Sequence, residues 1–248
     1  MLELTKNFYH QELLKNKEAL NYLQTVRKIS FDTIKKFQLG LATKDNQNFY
    51  RYLLKKRISL DLFFELKLLI KNKVFVADFF QDGFIIPVYY HNYVIHFYKN
   101  NYHNEIKKFN PKYRALPNLT NTNIFFMPYG FNLAKPYILQ MKKIIIHEGF
   151  FDLINCFNHG IKNVVGLISL TIGISQPMIN FLKENNITVI IGFDNDATGL
   201  KQSQRIKNEL TALNISAVIK TIPFKDCKDA DDVLKKHGFY AYQKIYLL

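Results

Sequence analysis

The sequence predicts an α/β chain in which a parallel sheet flanked by helices follows a basic, mixed α+β subdomain. Three observations carry this prediction. From residue 142 onward, short runs of β-branched residues alternate with helical stretches, and runs apolar on both faces belong to parallel strands covered on both sides. Before that point the apolar spacing is mainly helical, with one pair of extended segments. The charge is also uneven: residues 1–150 hold 23 Lys and Arg against 11 Asp and Glu, whereas residues 151–248 hold 11 against 9. These changes divide the chain into a basic subdomain over 1–140 and an α/β domain over 141–248.

In the first part, Tyr9, Leu13 and Leu14, then Leu20, Tyr22, Leu23 and Val26, recur at helical spacing. Ser30 is the expected N-cap of a helix through Ile34 and Phe37, which Gly40 should end in the left-handed conformation. Further amphipathic helices are expected over 48–56 and 59–70, the second capped by Ser59. Residues 83–90 and 93–98 read as two strands around a His91-Asn92 turn. Residues 100–123, Asn-rich and broken by Pro111 and Pro117, read as an ordered loop. Strands are then expected over 144–146, 164–167, 187–193 and 217–222, with helices over about 149–159, 176–184, 198–213 and 231–236.

Bulk properties exclude several classes. A chain of 248 residues with 48% hydrophobic content can bury a real core. No apolar run approaches the roughly 20 residues of a membrane span, and the N-terminus lacks a signal-peptide pattern, so a cytoplasmic protein without a membrane partner is expected. The net charge of +14 suggests a polyanionic partner. Cys156 and Cys227 stand far apart with no CxxC or nearby His pattern. They read as small apolar residues, and no zinc is expected in the chain.

Ligands of open parallel sheets sit beyond the carboxyl ends of the strands, and acidic residues fall there. Glu148 follows the first strand, Asp194 and Asp196 the third, and Asp229 and Asp231 the fourth. Asp194 and Asp196, two apart, share one face of an extended segment and can hold one hard cation, which would offset their repulsion. An isolated Asp-x-Asp is weak evidence, because an acid at a strand end often only caps the next helix. The combination of Glu-Gly after one strand with Asp-x-Asp and a following Gly after another is more specific.

Three motifs identify a family. His147-Glu148-Gly149-Phe150-Phe151-Asp152 resembles the EGYMD motif of the Toprim domain in DnaG-type bacterial primases. Phe193 to Gly199 resembles their YDGDxAG, and Lys228-Asp229-Ala230-Asp231 with Val233-Leu234 resembles their EDPDxL. Upstream, Ile85-Ile86-Pro87-Val88 resembles the family's IIFPI strand, Pro111-Lys112-Tyr113 its template-contacting PKY, and Tyr129-Gly130 its LYGL segment. The resemblance runs from about residue 8 to 238 and is to the catalytic core, without the family's zinc-binding and helicase-binding domains. The chain departs from the pattern at cations: the arginines of YDGDRAGR are Ala197 and Leu200 here, leaving Lys201. The family's Gly-Thr turn appears as Ser169-Leu170.

The resemblance implies a DNA primase, a nucleotidyltransferase making short RNA primers on single-stranded DNA from NTPs. Glu148, Asp194 and Asp196 would be catalytic. With Asp229 and Asp231 they would hold Mg²⁺, for which Mn²⁺ can substitute, while Asp152 supports them from behind. Lys201 and Lys99 are the cations assigned to nucleotide phosphates. Arg27, Lys112, Tyr113 and Arg114 are assigned to the template, a cation–aromatic combination that suits single strands. A replicative helicase is a further implied partner. Two other readings are a Toprim nuclease and a non-catalytic single-strand-binding accessory of replication.

Overall fold

The computed structural model describes residues 1–71, 74–101, 112–117, 127–167 and 173–248. The chain forms two compact units, one of Met1–Val26 and Ile34–Ile124, the other of Arg27–Thr33 and Phe125–Leu248.

Helix α1 (Leu2–Lys15) is followed by α2 (Lys17–Asn21), N-capped by Asn16, and by a π-helical turn over Tyr22–Val26. Helix α3 (Phe31–Lys36) has the expected cap, with Ser30 Oγ accepting from the Thr33 N–H at 3.3 Å. Its end differs from expectation. Gln38, at φ 50°, takes the left-handed position, and the Leu39 N–H returns to the Ile34 carbonyl in a Schellman-type closure. Gly40 instead opens β1 (Gly40–Ala42), where a Cβ would lie 2.6 Å from that of Tyr9. Close packing, not chain reversal, requires this glycine.

Helices α4 (Asn48–Lys55) and α5 (Asp61–Glu65) follow. The helix expected over 59–70 stops early, because Lys67 turns left-handed at φ 56° and the Leu68 N–H closes on the Phe63 carbonyl. Leu69–Lys71 then forms β2, antiparallel to β3 (Val76–Asp78). The expected hairpin is β4 (Gly83–Tyr90) and β5 (Tyr93–Asn100), with His91 at φ 53° in its turn. Within the stretch read as a loop, 102–111 and 118–123 lie outside the described residues, and Tyr113–Ala115 is a strand, β6, paired with β5. These strands form an antiparallel sheet in the order β1-β4-β5-β6. The core of this unit is aromatic: the Phe49 ring lies 4.9 Å from Phe8 and 5.5 Å from Phe63, all three buried.

The second unit contains α6 (Phe131–Met141), β7 (Lys143–His147), α7 (Phe150–Asn158), β8 (Val164–Gly166), α8 (Gln176–Glu184), β9 (Thr188–Ile191), α9 (Ala197–Ala212), β10 (Ala217–Ile219) and α10 (Ala230–Tyr246). The four strands are parallel in the order β10-β9-β7-β8 and flanked by helices, the fold class expected. Ile144, Ile145, Val189 and Ile191 are fully buried, as strands covered on both faces require. Ser169 and Leu170 lie outside the described residues. Helix α10 runs well past the expected 231–236, because a kink at Gly238 (φ 76°) interrupts its pattern without ending it. No described helix is long and apolar enough to cross a membrane.

Candidate metal centre

The order β10-β9-β7 puts the loops after the two central strands side by side. Glu148, directly after β7, accepts the Asp194 N–H on Oε1 at 2.9 Å and thereby holds the loop after β9. The Asn195 N–H reaches the Lys228 carbonyl at 2.7 Å, tying in the loop that leads to α10. Three helices start at this edge. Asp196 caps α9 by accepting the Gly199 N–H at 2.9 Å, and Asp229 caps α10 by accepting the Asp232 N–H at 2.8 Å. In the first turn of α7, Asp152 accepts the Gly149 N–H at 3.1 Å and the Asp231 N–H at 2.9 Å.

Both motif glycines have a steric cause. A Cβ on Gly149 would lie 2.3 Å from Asp152 Oδ2, and one on Gly199 would lie 2.1 Å from the Asp194 carbonyl oxygen. A side chain at either position would push apart the elements that carry the acids.

Oxygens of Asp152, Asp194 and Asp229 come within 4.8 Å of one another. Burial, then repulsion from Asp229 and Asp231, pushes the Asp152 carboxyl well above its ordinary range, and burial chiefly raises Asp229. Burial and the neighbouring Asp194 carry Glu148 up to about 7, against the pull of the Asp194 N–H. Asp196 is different: its bond from the Gly199 N–H holds it below the usual range. A half-buried set of oxygen donors that crowd one another in this way fits a hard divalent cation, whose charge would relieve the repulsion. Lys228 partly does so, with Nζ 3.0 Å from Asp194 Oδ2 and 3.4 Å from Asp196 Oδ2.

The sequence expectations fare unevenly against this geometry. Asp152, expected behind the ligands, stands among the clustered oxygens. Asp231, expected as a ligand, is buried beside Asp152 with its carboxylate engaged by other groups: it accepts from Asn155 Nδ2 at 2.8 Å and pairs with Lys235 at 2.8 Å and Arg27 at 3.5 Å. Arg27, expected at the template, also lies over the Phe151 ring at 4.4 Å, with its side chain only 17% exposed. Lys201 is exposed in the first turns of α9. In the first unit, Lys99 is buried with Nζ donating to the Gln81 carbonyl at 2.7 Å, so it is turned inward. Lys112 and Arg114 are exposed, Lys112 above the Tyr113 ring at 5.5 Å and Arg114 over Phe79 at 4.0 Å. Lys228 was missed. Its only sequence signal is its place directly before Asp229.

Comparison with known proteins agrees with both units. Residues 8–126 match the family model for the DNA primase catalytic core, N-terminal domain, and residues 145–234 match a Toprim-like family. The DNA primase of Aquifex aeolicus is 30% identical over 241 residues, covering 96% of this chain and 46% of that protein. The DNA primase of Staphylococcus epidermidis is 29% identical over 249 residues, covering 98% of this chain and 40% of that protein. The chain thus spans less than half the length of these relatives. A crystal structure of the Aquifex aeolicus primase, containing zinc-binding and RNA polymerase domains, aligns with a TM-score of 0.78 at 28% identity over 96% of this chain and 57% of that one. The RNA polymerase domain of Mycobacterium tuberculosis primase DnaG shares the fold with a TM-score of 0.84 at 18% identity, over 99% of this chain and 81% of that one. The carboxylate edge, its two sterically required glycines and both family matches lead to one assignment: the chain belongs to the DnaG-type primase catalytic-core family, with a core N-terminal domain followed by a Toprim-like domain.

Proposed function

We propose that the chain is a DNA primase that synthesises short RNA primers on single-stranded DNA by Mg²⁺-dependent nucleotidyl transfer. The observation that carries this reading is the convergence of Asp152, Asp194 and Asp229 at the carboxyl edge of a Toprim-like sheet. Residues 1–140 grip the template and residues 141–248 hold metal and nucleotide. Lys112, Tyr113 and Arg114 supply cations and an aromatic face for a single strand. Lys201 meets nucleotide phosphates from α9.

Asp194 and Asp229, with Asp152, Asp196 and Glu148 around them, are the groups that would hold Mg²⁺. Bound there, the ion supplies charge neutralisation at the triphosphate and lowers the pKa of the attacking hydroxyl. Glu148 fixes the Asp194 loop by accepting the Asp194 N–H on its Oε1. Lys228 pairs with Asp194 and Asp196 and offsets part of their mutual repulsion, and this pairing would loosen where a cation is held. The reaction is assigned to the cytoplasm, with single-stranded DNA, NTPs and a replicative helicase as its partners.

Primer synthesis on single-stranded DNA with labelled NTPs, comparing the wild type with Asp194→Ala, tests the proposal. Magnesium-dependent products that vanish in the variant support it. Template nicking without NTPs would replace it with a nuclease. DNA binding without any product under Mg²⁺ or Mn²⁺ would replace it with an accessory role.

A further inference from the structure

A second group of metal-ligand types lies outside the carboxylate cluster. In the loop before α10, the Cys227 N–H closes a turn on the Phe224 carbonyl at 3.2 Å. His237, ten residues after Cys227 and just before the Gly238 kink, stacks its ring on Phe224 at 4.1 Å and 13°. This stacking fixes the imidazole with Nε2 3.1 Å from Asp226 Oδ1, and Cys227 Sγ lies 3.7 Å from the same oxygen. A ligand atom from each of Asp226, Cys227 and His237 lies within 4.8 Å of the others.

These separations have a chemical meaning. Zn–S near 2.3 Å and Zn–N and Zn–O near 2.0 Å put the edges of a zinc tetrahedron at about 3.3 Å for N···O and about 3.5 Å for S···O. The observed 3.1 and 3.7 Å lie close to both. A thiol, an imidazole and a carboxylate are also a donor set that favours a borderline-soft cation over Mg²⁺. Sequence spacing gave no hint of this, since the kinked α10 and the turn at Phe224 bring the residues together.

We infer that Asp226, Cys227 and His237 form a binding site for a thiophilic divalent cation, Zn²⁺ by its donor set, separate from the carboxylate cluster. Three protein ligands leave a fourth position to solvent, on the side where Asp226 is 57% and His237 32% exposed. Binding replaces the proton of the Cys227 thiol, which leaves to solvent, so the metal bridges the loop to α10 through a thiolate. Lys236 donates from Nζ to the Asp226 main-chain carbonyl and stands 4.0 Å from Asp226 Oδ2, so it holds the loop by its backbone and leaves the carboxylate to the cation. Cys227 is joined through Lys228 to Asp229, so a cation here clamps the segment that supplies an acid to the carboxylate cluster. The inference stands independently of primer synthesis.

Cadmium titration of the whole chain in excess Mg²⁺ is the test, read by the thiolate-to-cadmium charge-transfer band and by calorimetric Zn²⁺ binding. One equivalent with a sulfur band is expected. The band should vanish in Cys227→Ser and persist in Cys156→Ser, and Zn²⁺ affinity should fall at least about tenfold in His237→Ala. Should Cys227→Ser fail to fold, His237→Ala and Asp226→Asn decide by their Zn²⁺ affinity. No sulfur band, a band that survives Cys227→Ser, or unchanged affinity in His237→Ala would each overturn the site.

Discussion

The Gly199 Cα faces the Asp194 backbone so closely that a Cβ would stand 2.1 Å from the Asp194 carbonyl oxygen and 2.9 Å from Glu148 Oε1. The contact fixes where α9 begins relative to the acids. Gly199→Ala must shift either the helix start or the Asp194 peptide, at a cost of about 1–3 kcal/mol. Thermal unfolding should show a lower Tm and a smaller Mg²⁺-induced rise in Tm. Equal stability with an unchanged magnesium response would refute this role for the glycine.

Asp229→Asn separates two duties of one side chain. Asparagine caps helices about as well as aspartate, so α10 keeps its bond to the Asp232 N–H. The lost charge relieves repulsion on Asp152 and Asp194. Without metal, the variant should be as stable as the wild type or more so, by an amount on the order of 1 kcal/mol. Its Mg²⁺-induced stabilisation should largely disappear. Melting curves with and without Mg²⁺ measure both, and a full magnesium response would exclude Asp229 from the cation site.

Much of this site was legible because parallel strands read as unbroken β-branched runs whose ends can be located, which placed Glu148 and Asp194 at one edge. What the pattern could not show was how the acids divide. Asp152 and Asp231 both follow a strand and begin a helix, yet Asp152 joins the cluster and Asp231 turns to Arg27 and Lys235. That choice depends on a residue 204 positions away, which carries no local signal. The same limit explains the early end of α5: the apolar spacing continues through Leu69, but Leu68 and Leu69 are drawn into the core after Lys67 reverses the chain.

Asp78 provides a pH test inside the first unit. Its two oxygens accept the Phe49 and Tyr50 N–H groups at 2.8 and 2.9 Å, capping α4 from a neighbouring strand. Burial raises its carboxyl to about 6, against the pull of those bonds. The folded state therefore holds this proton more tightly than the unfolded chain. The contribution to stability is fully present below the ordinary value near 4 and is lost as pH rises through 6. The stability of the wild type relative to Asp78→Asn should fall by about 2 kcal/mol between pH 4 and 7. Urea unfolding at stepped pH measures this difference, and a flat or rising one would show that the helix N–H groups outweigh burial.

Arg27 and the Lys112–Arg114 pair were assigned one role by sequence, and their surroundings predict opposite phenotypes. Lys112 and Arg114 are exposed, so replacing both with alanine should remove phosphate contacts, with a stability cost confined to the lost packing of the Arg114 guanidinium over Phe79. On a single strand each lost contact lowers the slope of log K against log salt by about 0.7, giving a fall of about 1.4 for the pair. Arg27→Ala leaves Asp231 buried with Lys235 as its remaining cation and strips the guanidinium from Phe151. The expected cost is about 1–3 kcal/mol of stability with no change in salt slope. Fluorescence anisotropy of a labelled oligonucleotide across a salt series, paired with thermal melts, distinguishes the two. A reduced slope in Arg27→Ala at full stability would return that arginine to the template. An unchanged slope in the double variant would take Lys112 and Arg114 away from it, because counterion release responds to the number of phosphates neutralised and not to how well the protein is folded.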